Sequence, residues 1–228
     1  VRPDDRIANH SPLHFDMSTF GYFSAPYAKA TTVLVPEPYT KMAASLSQLI
    51  EQQGITIWYS VPLALIQLLQ RGVLESRDLS ALRWVLFGGE PFAVKHLRAL
   101  MRLWPQARFS NVYGPAEVNQ CTYYHVPPLT SSDQDDAHAP PIPIGRIWDN
   151  TEGLILDPDD REVAPGEAGE LVVRSPTMMR GYWGRPERNQ TAFYRAPLYT
   201  DFDRVYYRTG DLVRQGDDGE LLFLGRMD

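Results

Sequence analysis

The sequence predicts an α/β fold: a parallel sheet covered by helices, followed by a smaller β-rich, barrel-like subdomain. Over residues 1–125, short β-branched or aromatic runs alternate with amphipathic helical patterns. This alternation favours right-handed crossovers and a parallel sheet. Beyond Gly145 the runs are short and are separated by turn sequences such as Asp157-Pro158-Asp159-Asp160, a pattern typical of antiparallel strands. We therefore predict one domain at 1–144 and a second at 145–228.

The first part contains elements whose boundaries follow from hydrophobic periodicity, prolines and glycines. Gly54 follows a helical pattern and suits a C-terminal cap, and Pro62 suits the first turn of a helix. We predict strands at 31–35, 55–59, 84–87 and 109–113, the first of them buried, and helices at 42–53, 62–70 and 94–104. In the second part we predict strands at 153–156, 169–174, 206–213 and 221–224, and one short helix around 186–193.

Composition excludes several classes of protein. A hydrophobic content of 43% with 22% charged residues is that of a globular chain. Lys+Arg 22 against Asp+Glu 28 gives a net charge of −6, which argues against nucleic acid as a partner. The single cysteine, Cys121, cannot form an internal disulfide, and the chain opens on a charged segment rather than a signal peptide, so we expect a cytoplasmic protein. The longest apolar stretch, 55–69, is interrupted by polar residues and is too short for a membrane span.

Generic catalytic motifs are absent from the sequence. It has no Gly-x-Ser-x-Gly elbow, no Gly-x-x-x-x-Gly-Lys-Ser/Thr loop, no His-Glu-x-x-His and no Cys-x-x-Cys, and its five histidines lack metal-ligand spacing. Binding sites in parallel sheets lie beyond the carboxyl ends of the strands. Gly88-Gly89-Glu90 and Gly114-Pro115-Ala116-Glu117 fall at such ends, so we expect a ligand cleft there.

Five further segments occur in an order and spacing that identify a family. They are Phe15-Asp16-Met17-Ser18, Asn111-Val112-Tyr113-Gly114-Pro115-Ala116-Glu117, Gly169-Glu170-Leu171 continuing to Arg180-Gly181-Tyr182, Tyr207-Arg208-Thr209-Gly210-Asp211-Leu212, and Gly225-Arg226-Met227-Asp228. Together they resemble the adenylation domains of nonribosomal peptide synthetases, within the superfamily of AMP-forming acyl-CoA synthetases and luciferases. The resemblance extends over the whole chain. It implies ATP-dependent formation of an aminoacyl adenylate, followed by transfer to a phosphopantetheinylated carrier protein. An acyl- or aryl-CoA ligase and a non-catalytic nucleotide-binding relative remain alternatives.

The resemblance implies a nucleotide site. Tyr113 would lie against adenine, Asp211 would accept both ribose hydroxyls, Arg226 would contact the ribose or the neighbouring phosphates, and Glu117 would serve catalysis by holding Mg²⁺ against ATP. The other implied ATP-binding residues are Gly89, Glu90, Asn111, Gly114 and Ala116. Ala116 departs from the family, which usually has Thr there. Asp228 matches the family's hinge residue. Some of these residues also have a purely structural alternative. Tyr113 could belong to the core, Glu117 to a solvated helix turn, and Asp211 and Asp228 to turns beside glycine.

The resemblance also implies an amino-acid pocket in which Asp16 holds the α-ammonium group. Desolvating a carboxylate is costly unless a cation pairs with it, although Asp is also common at helix N-caps and in turns. The other pocket residues are Met17, Phe20, Tyr59, Leu86, Gly88, Val112, Gln120 and Cys121. Only Asp16 is charged, and Phe20 and Tyr59 are bulky and would narrow the cavity, which favours a small neutral amino acid as the substrate. Tyr59, Leu86 and Cys121 look like the pocket of prolyl–carrier-protein ligases, whereas Phe20, Gly88 and Gln120 do not match it closely. Proline is therefore the lead candidate.

The resemblance further implies that the chain is an incomplete catalytic core. A Ser/Thr/Gly-rich phosphate loop would lie upstream of these motifs, and a catalytic lysine would lie downstream of Asp228. We therefore expect the 228-residue chain alone to be inactive or nearly so.

Overall fold

The computed structural model describes residues 1–130, 139–196 and 204–227, so Asp228, the predicted hinge, lies outside the described residues. The chain forms two compact units. The first comprises Val1–Asn111 and His125–Ile142, and the second comprises Val112–Tyr124 and Pro143–Asp228. The division into domains at 1–144 and 145–228 stays a prediction.

The first unit is a sheet with helices. Its strands are β1 (Arg6–Asn9), β2 (Thr31–Leu34), β3 (Ile57–Ser60), β4 (Trp84–Gly88), β5 (Arg108–Tyr113) and β6 (Thr122–Val126), the last two of which each continue into the other unit. Its helices are α1 (Ala25–Tyr27), α2 (Glu37–Thr40), α3 (Ala43–Gln52), α4 (Pro62–Arg71) and α5 (Val94–Leu103). The strand order is β2-β1-β3-β4-β5-β6, and β2–β1, β1–β3 and β3–β4 pair in parallel. The predicted α/β fold class is confirmed.

The core of the first unit forms around β3 and β4. All four residues of β3 and Val85–Gly88 of β4 are buried, which explains their near-continuous apolar sequence. Gly54 ends α3 in a left-handed conformation, with φ +54°, and Pro62 starts α4, as predicted. The prediction that the first strand is buried was wrong. Strand β2 lies at the sheet edge, and its Leu34 is 66% exposed.

The second unit is mainly antiparallel. Its further elements are β7 (Arg146–Ile147), β8 (Glu152–Leu156), β9 (Ala168–Arg174), α6 (Pro186–Thr191), β10 (Phe193–Ala196), β11 (Arg204–Gln215) and β12 (Leu221–Arg226). The order β10-β11-β9-β8, with β12 paired to β11, makes a smaller antiparallel sheet of five strands. This confirms the predicted β-rich part. Separately, β7 pairs antiparallel with β6. Among the described residues, no helix is both long and apolar enough to cross a membrane.

Candidate functional site

A tight loop follows β5 and fixes Tyr113, one of the predicted nucleotide-binding residues. The Cys121 N–H donates to the Tyr113 carbonyl at 2.8 Å, and the Val118 N–H donates to the Pro115 carbonyl at 3.0 Å. A Cβ on Gly114 would lie 1.7 Å from the Asn119 carbonyl oxygen, so no side chain fits there. The loop therefore holds Tyr113 at the strand end and leaves Ala116 exposed.

Tyr113, Asp211 and Arg226 meet in the second unit. The Tyr113 hydroxyl donates to Asp211 Oδ2, and Arg226 Nη1 donates to Asp211 Oδ1 at 3.1 Å and to the Thr209 carbonyl at 2.8 Å. Asp211 is 5% exposed. Burial, followed by the neighbouring Asp211 charge, raises the pKa of Tyr113 above its usual range, so the phenol keeps its proton and acts as a donor. Each carboxylate oxygen has two lone pairs, which leaves Asp211 able to accept further hydrogen bonds.

Glu117 lies near a tyrosine from a different motif of the same unit. The Tyr182 hydroxyl donates to Glu117 Oε1 at 2.6 Å, and the Met179 N–H donates to the Glu117 carbonyl at 2.7 Å. Burial and then this hydrogen bond raise the pKa of Tyr182. Tyr182 belongs to one of the five sequence motifs, but no role could be predicted for it, because its hydrogen-bond partner Glu117 is 65 residues away along the chain.

The predicted magnesium site at Glu117 can be compared with the oxygen, nitrogen and sulfur ligands that the protein offers. Among residues 1–130, 139–196 and 204–227, no group of three or more His, Cys, Asp or Glu side chains could hold a metal ion. Magnesium commonly takes only one or two carboxylates from the protein and its remaining ligands from substrate phosphates and water. A single carboxylate at Glu117 fits that mode of binding and does not fit an all-protein metal site.

Part of the predicted amino-acid pocket comes together in the first unit. The rings of Phe20 and Tyr59 pack edge to face with centroids 5.9 Å apart, and Tyr59 pairs directly with Leu86 across β3 and β4. Phe20 begins a π-helical turn, Phe20–Ser24. The Thr32 hydroxyl donates to the Gly21 carbonyl of this turn at 2.5 Å. Gly88 is buried at the end of β4, two residues beyond Leu86.

Asp16 and Met17 open the same segment of the first unit. Asp16 is half-buried and is the first residue of a 3-10 turn, Asp16–Ser18, whose N-cap is Phe15. Its Oδ1 accepts the N–H of Met17 at 2.8 Å. Asp16 is therefore not the N-cap. Within the part of the chain that the structure describes, its carboxylate forms no ion pair.

The remaining predicted residues are more dispersed. In the first unit Gly89 has φ +89°, and Glu90 Oε1 accepts the Leu63 N–H at 2.7 Å, so Glu90 caps the start of α4. Asn111 is half-buried in β5. In the second unit Val112 and Cys121 are buried and Gln120 is half-buried. Burial raises the pKa of the Cys121 thiol to about 12, which leaves it a poor nucleophile.

Comparison with known proteins gives one family and a consistent group of relatives. Residues 1–183 match the model of the AMP-binding enzyme family. The whole chain is 40% identical to an L-proline–[L-prolyl-carrier protein] ligase of Pseudomonas fluorescens and 39% identical to one of Streptomyces coelicolor. A solved structure of holo-PA1221, an NRPS protein containing adenylation and PCP domains bound to a vinylsulfonamide inhibitor, is 30% identical, with a TM-score of 0.84 over 100% of this chain.

The chain is shorter than the proteins that it resembles. It spans 42% of the Pseudomonas ligase, 41% of the Streptomyces ligase and 38% of the PA1221 chain.

Proposed function

The chain belongs to the AMP-binding enzyme family, and from this premise we propose that it is part of a ligase that activates a small neutral amino acid with ATP and transfers it to a phosphopantetheinylated carrier protein. Proline is the lead substrate, supported by the printed activity of two relatives at 40% and 39% identity. The observation that carries the amino-acid part of the proposal is Asp16, a half-buried carboxylate without an ion pair among the described residues.

The proposed reaction has two steps. An oxygen of the amino-acid carboxylate attacks the α-phosphorus of ATP, the bond to the bridging oxygen of pyrophosphate breaks, and an aminoacyl adenylate forms. The carrier's thiol sulfur then attacks the acyl carbon, a proton leaves the thiol, and AMP departs. Bound magnesium, held by Glu117 and the phosphates, would supply charge neutralisation during the first step.

The residues of the chain have distinct proposed tasks. Asp16 pairs with the substrate ammonium, because a buried or half-buried carboxylate is stabilised by a cation. Phe20, Tyr59 and Leu86 shape the side-chain space with apolar surface. Tyr113 stacks against adenine and Asp211 accepts the ribose hydroxyls, with Arg226 beside it. Tyr182 holds the Glu117 carboxylate through its 2.6 Å hydrogen bond. The roles of Gly89, Glu90, Asn111, Val112, Gln120 and Cys121 stay predictions.

ATP–pyrophosphate exchange by the full-length protein tests the substrate class. We expect exchange with L-proline above other amino acids. Asp16→Ala should lower kcat/KM for the amino acid by about a hundredfold, because removing one partner of a buried ion pair costs about 3–5 kcal/mol and Asp16 is half-buried. KM for ATP should stay within about twofold because uniform binding of ATP is unaffected. Asp4→Ala is the matched control, since it removes an exposed carboxylate from the same unit.

Other results would support the alternatives. Turnover of an aryl or fatty acid that survives Asp16→Ala, with every amino acid inactive, would assign an acyl- or aryl-CoA ligase. Binding of ATP without exchange for any acid would assign a non-catalytic relative.

A further inference from the structure

Strand β11 contains a bulge that includes Asp211. Arg208 pairs with Val172 and Leu212 pairs with Glu170, so β11 advances four residues while β9 advances two. Two extra residues therefore leave the regular ladder, and their main-chain N–H groups need acceptors elsewhere. A buried N–H without an acceptor is costly, so the bulge depends on whatever supplies one.

Glu170 of β9 supplies an acceptor with both of its oxygens engaged. Its Oε1 accepts the Gly210 N–H at 3.1 Å, and its Oε2 accepts Arg208 Nη1 at 2.6 Å. Glu170 is 8% exposed, so these bonds form away from bulk water. The next amide is held locally, since the Asp211 N–H donates to Thr209 Oγ1 at 3.1 Å. The carboxylate of Glu170 thus ties the bulge across the strand pair.

The bulge has little conformational preference of its own. Gly210 has φ +68°, and glycine reaches many other backbone conformations at small cost. A charge-assisted hydrogen bond to its amide selects one of these conformations. The Gly210 carbonyl also accepts the Met227 N–H at 2.8 Å, so Gly210 is held on both sides. Because Gly210 directly precedes Asp211, the bond to Glu170 helps to fix where the Asp211 carboxylate lies relative to the Tyr113 hydroxyl and the Arg226 guanidinium.

We propose that Glu170 is a positioning residue for nucleotide recognition: by fixing the Gly210 amide, it holds Asp211 where the carboxylate can accept both hydroxyls of a ribose. This inference rests on the proposed role of Asp211 in ribose binding. Glu170 itself does not touch the nucleotide. Its loss therefore affects discrimination between ribose and deoxyribose rather than all nucleotide binding.

A matched control is available at Asp160, a second acidic residue that contacts Arg208. The other hydrogen-bond partner of the Arg208 guanidinium is Asp160, an exposed residue with φ +62° that forms no bond to Gly210 or Asp211. Asp160→Asn removes the charge from that outer contact, and asparagine tolerates the left-handed backbone well. This variant weakens the ion-pair cluster of Arg208 and leaves the bond from Gly210 to Glu170 in place.

The experiment measures the dissociation constants of AMP, 2′-deoxy-AMP and 3′-deoxy-AMP by calorimetry on the full-length protein. The variants are wild type, Glu170→Gln, Glu170→Ala, Asp160→Asn and Asp211→Asn, and melting temperatures are recorded for each. Glu170→Gln keeps the volume and one carbonyl oxygen, so it provides a folded variant if Glu170→Ala is unstable. ATP–pyrophosphate exchange is measured in parallel on the same proteins.

We expect the preference for AMP over the two deoxy analogues to fall by about tenfold in Glu170→Ala, the order of one charge-assisted hydrogen bond, and less in Glu170→Gln. Asp160→Asn should keep the wild-type preference. A lower melting temperature with an unchanged preference in both Glu170 variants would overturn the positioning role, as would an equal fall in Asp160→Asn. A wild-type protein that binds AMP without preference would also overturn it. Absence of pyrophosphate exchange refutes the proposed function but leaves this inference to be decided by the AMP measurements.

Discussion

Replacing Tyr113 by Phe tests whether the hydrogen-bonded cluster in the second unit serves nucleotide binding. The change removes one hydroxyl, which donates to Asp211 Oδ2, and keeps the aromatic ring. The proposed stacking on adenine needs only the ring, so the change acts through the position of the Asp211 carboxylate. We therefore expect a smaller effect than that of Tyr113→Ala, which would also lose about 1–3 kcal/mol of stacking.

The size of the expected change in KM follows from the hydrogen bonds that Asp211 keeps after the substitution. A hydrogen bond to a charged group contributes about 1.5–3 kcal/mol. The lower end applies here because Arg226 Nη1 still donates to the other oxygen of Asp211 at 3.1 Å. About 1.4 kcal/mol corresponds to a tenfold change in an equilibrium constant. We therefore expect KM for ATP to rise by about tenfold while kcat stays within about twofold, because the 2′ and 3′ hydroxyls of ATP take no part in the bond changes at the α-phosphorus and contribute uniform binding.

The assay is ATP–pyrophosphate exchange at varied ATP on the full-length protein. Tyr206→Phe is the matched control: its hydroxyl donates to the Glu152 carboxylate at 2.9 Å, so the same group is deleted from a similar bond in the same unit. Tyr113→Phe and Asp211→Asn should be non-additive, since the first deletes the donor of one hydrogen bond and the second removes the charge of its acceptor. Additive effects, or an equal rise in KM for Tyr206→Phe, would refute the reasoning. The tyrosine should add no pH dependence below pH 10, because burial raises its pKa.

Three further predictions concern single groups. Burial raises the pKa of Cys121 from 9.0 to about 12. Iodoacetamide at pH 8 should therefore alkylate Cys121 about a thousandfold more slowly in the folded protein than in the urea-unfolded protein, and the rate in the folded protein should rise with pH. Equal rates in the two states would contradict this. Burial alone would raise the pKa of Asp5, but hydrogen bonds led by that from Arg83 lower it from 3.8 to about 2. Stability of about 1–2 kcal/mol should therefore be present above pH 4 and be lost as the pH falls through 2. In denaturant titrations of Arg83→Met this loss should be smaller, because burial then opposes only the hydrogen bonds from Thr56 and the Arg2 backbone. Gly210→Ala should raise KM for ATP, because its Cβ would lie 3.1 Å from a guanidinium nitrogen, whereas Gly219→Ala, with φ +81° and no atom within 4 Å, should carry only the backbone cost.

The sequence predicted the α/β class and most elements because their signals are local. Alternation of apolar runs located β3, β4 and the helices that follow them, and Gly54 and Pro62 marked boundaries that the structure contains. Strand β1 was missed because Arg6–Asn9 has only two apolar residues and becomes a strand by pairing with β2 and β3. The exposure of Leu34 was missed for a related reason: the position of a strand within a sheet is set by the other strands.

For the candidate site, too, local sequence signals could be predicted and long-range contacts could not. Motif order predicted Tyr113, Glu117 and Asp211 as site residues, but their hydrogen-bond partners could not be found from the sequence. The bond from Tyr113 to Asp211 joins residues 98 apart, and the bond from Arg208 to Glu170 joins residues 38 apart. Such pairings depend on strand register and on the bulge in β11, neither of which has a periodic sequence signal.

The acidic residues of the motifs differ in a way that bears on their chemistry. Asp211 has Tyr113 and Arg226 as partners, and Glu170 has Arg208 and a backbone amide, so both are held by the protein. Asp16 accepts only the adjacent Met17 N–H and forms no ion pair with any described residue. A half-buried carboxylate gains most from a cation when the protein supplies none. Of these three motif acids, Asp16 is therefore the one best suited to the proposed pairing with a cationic group of the substrate.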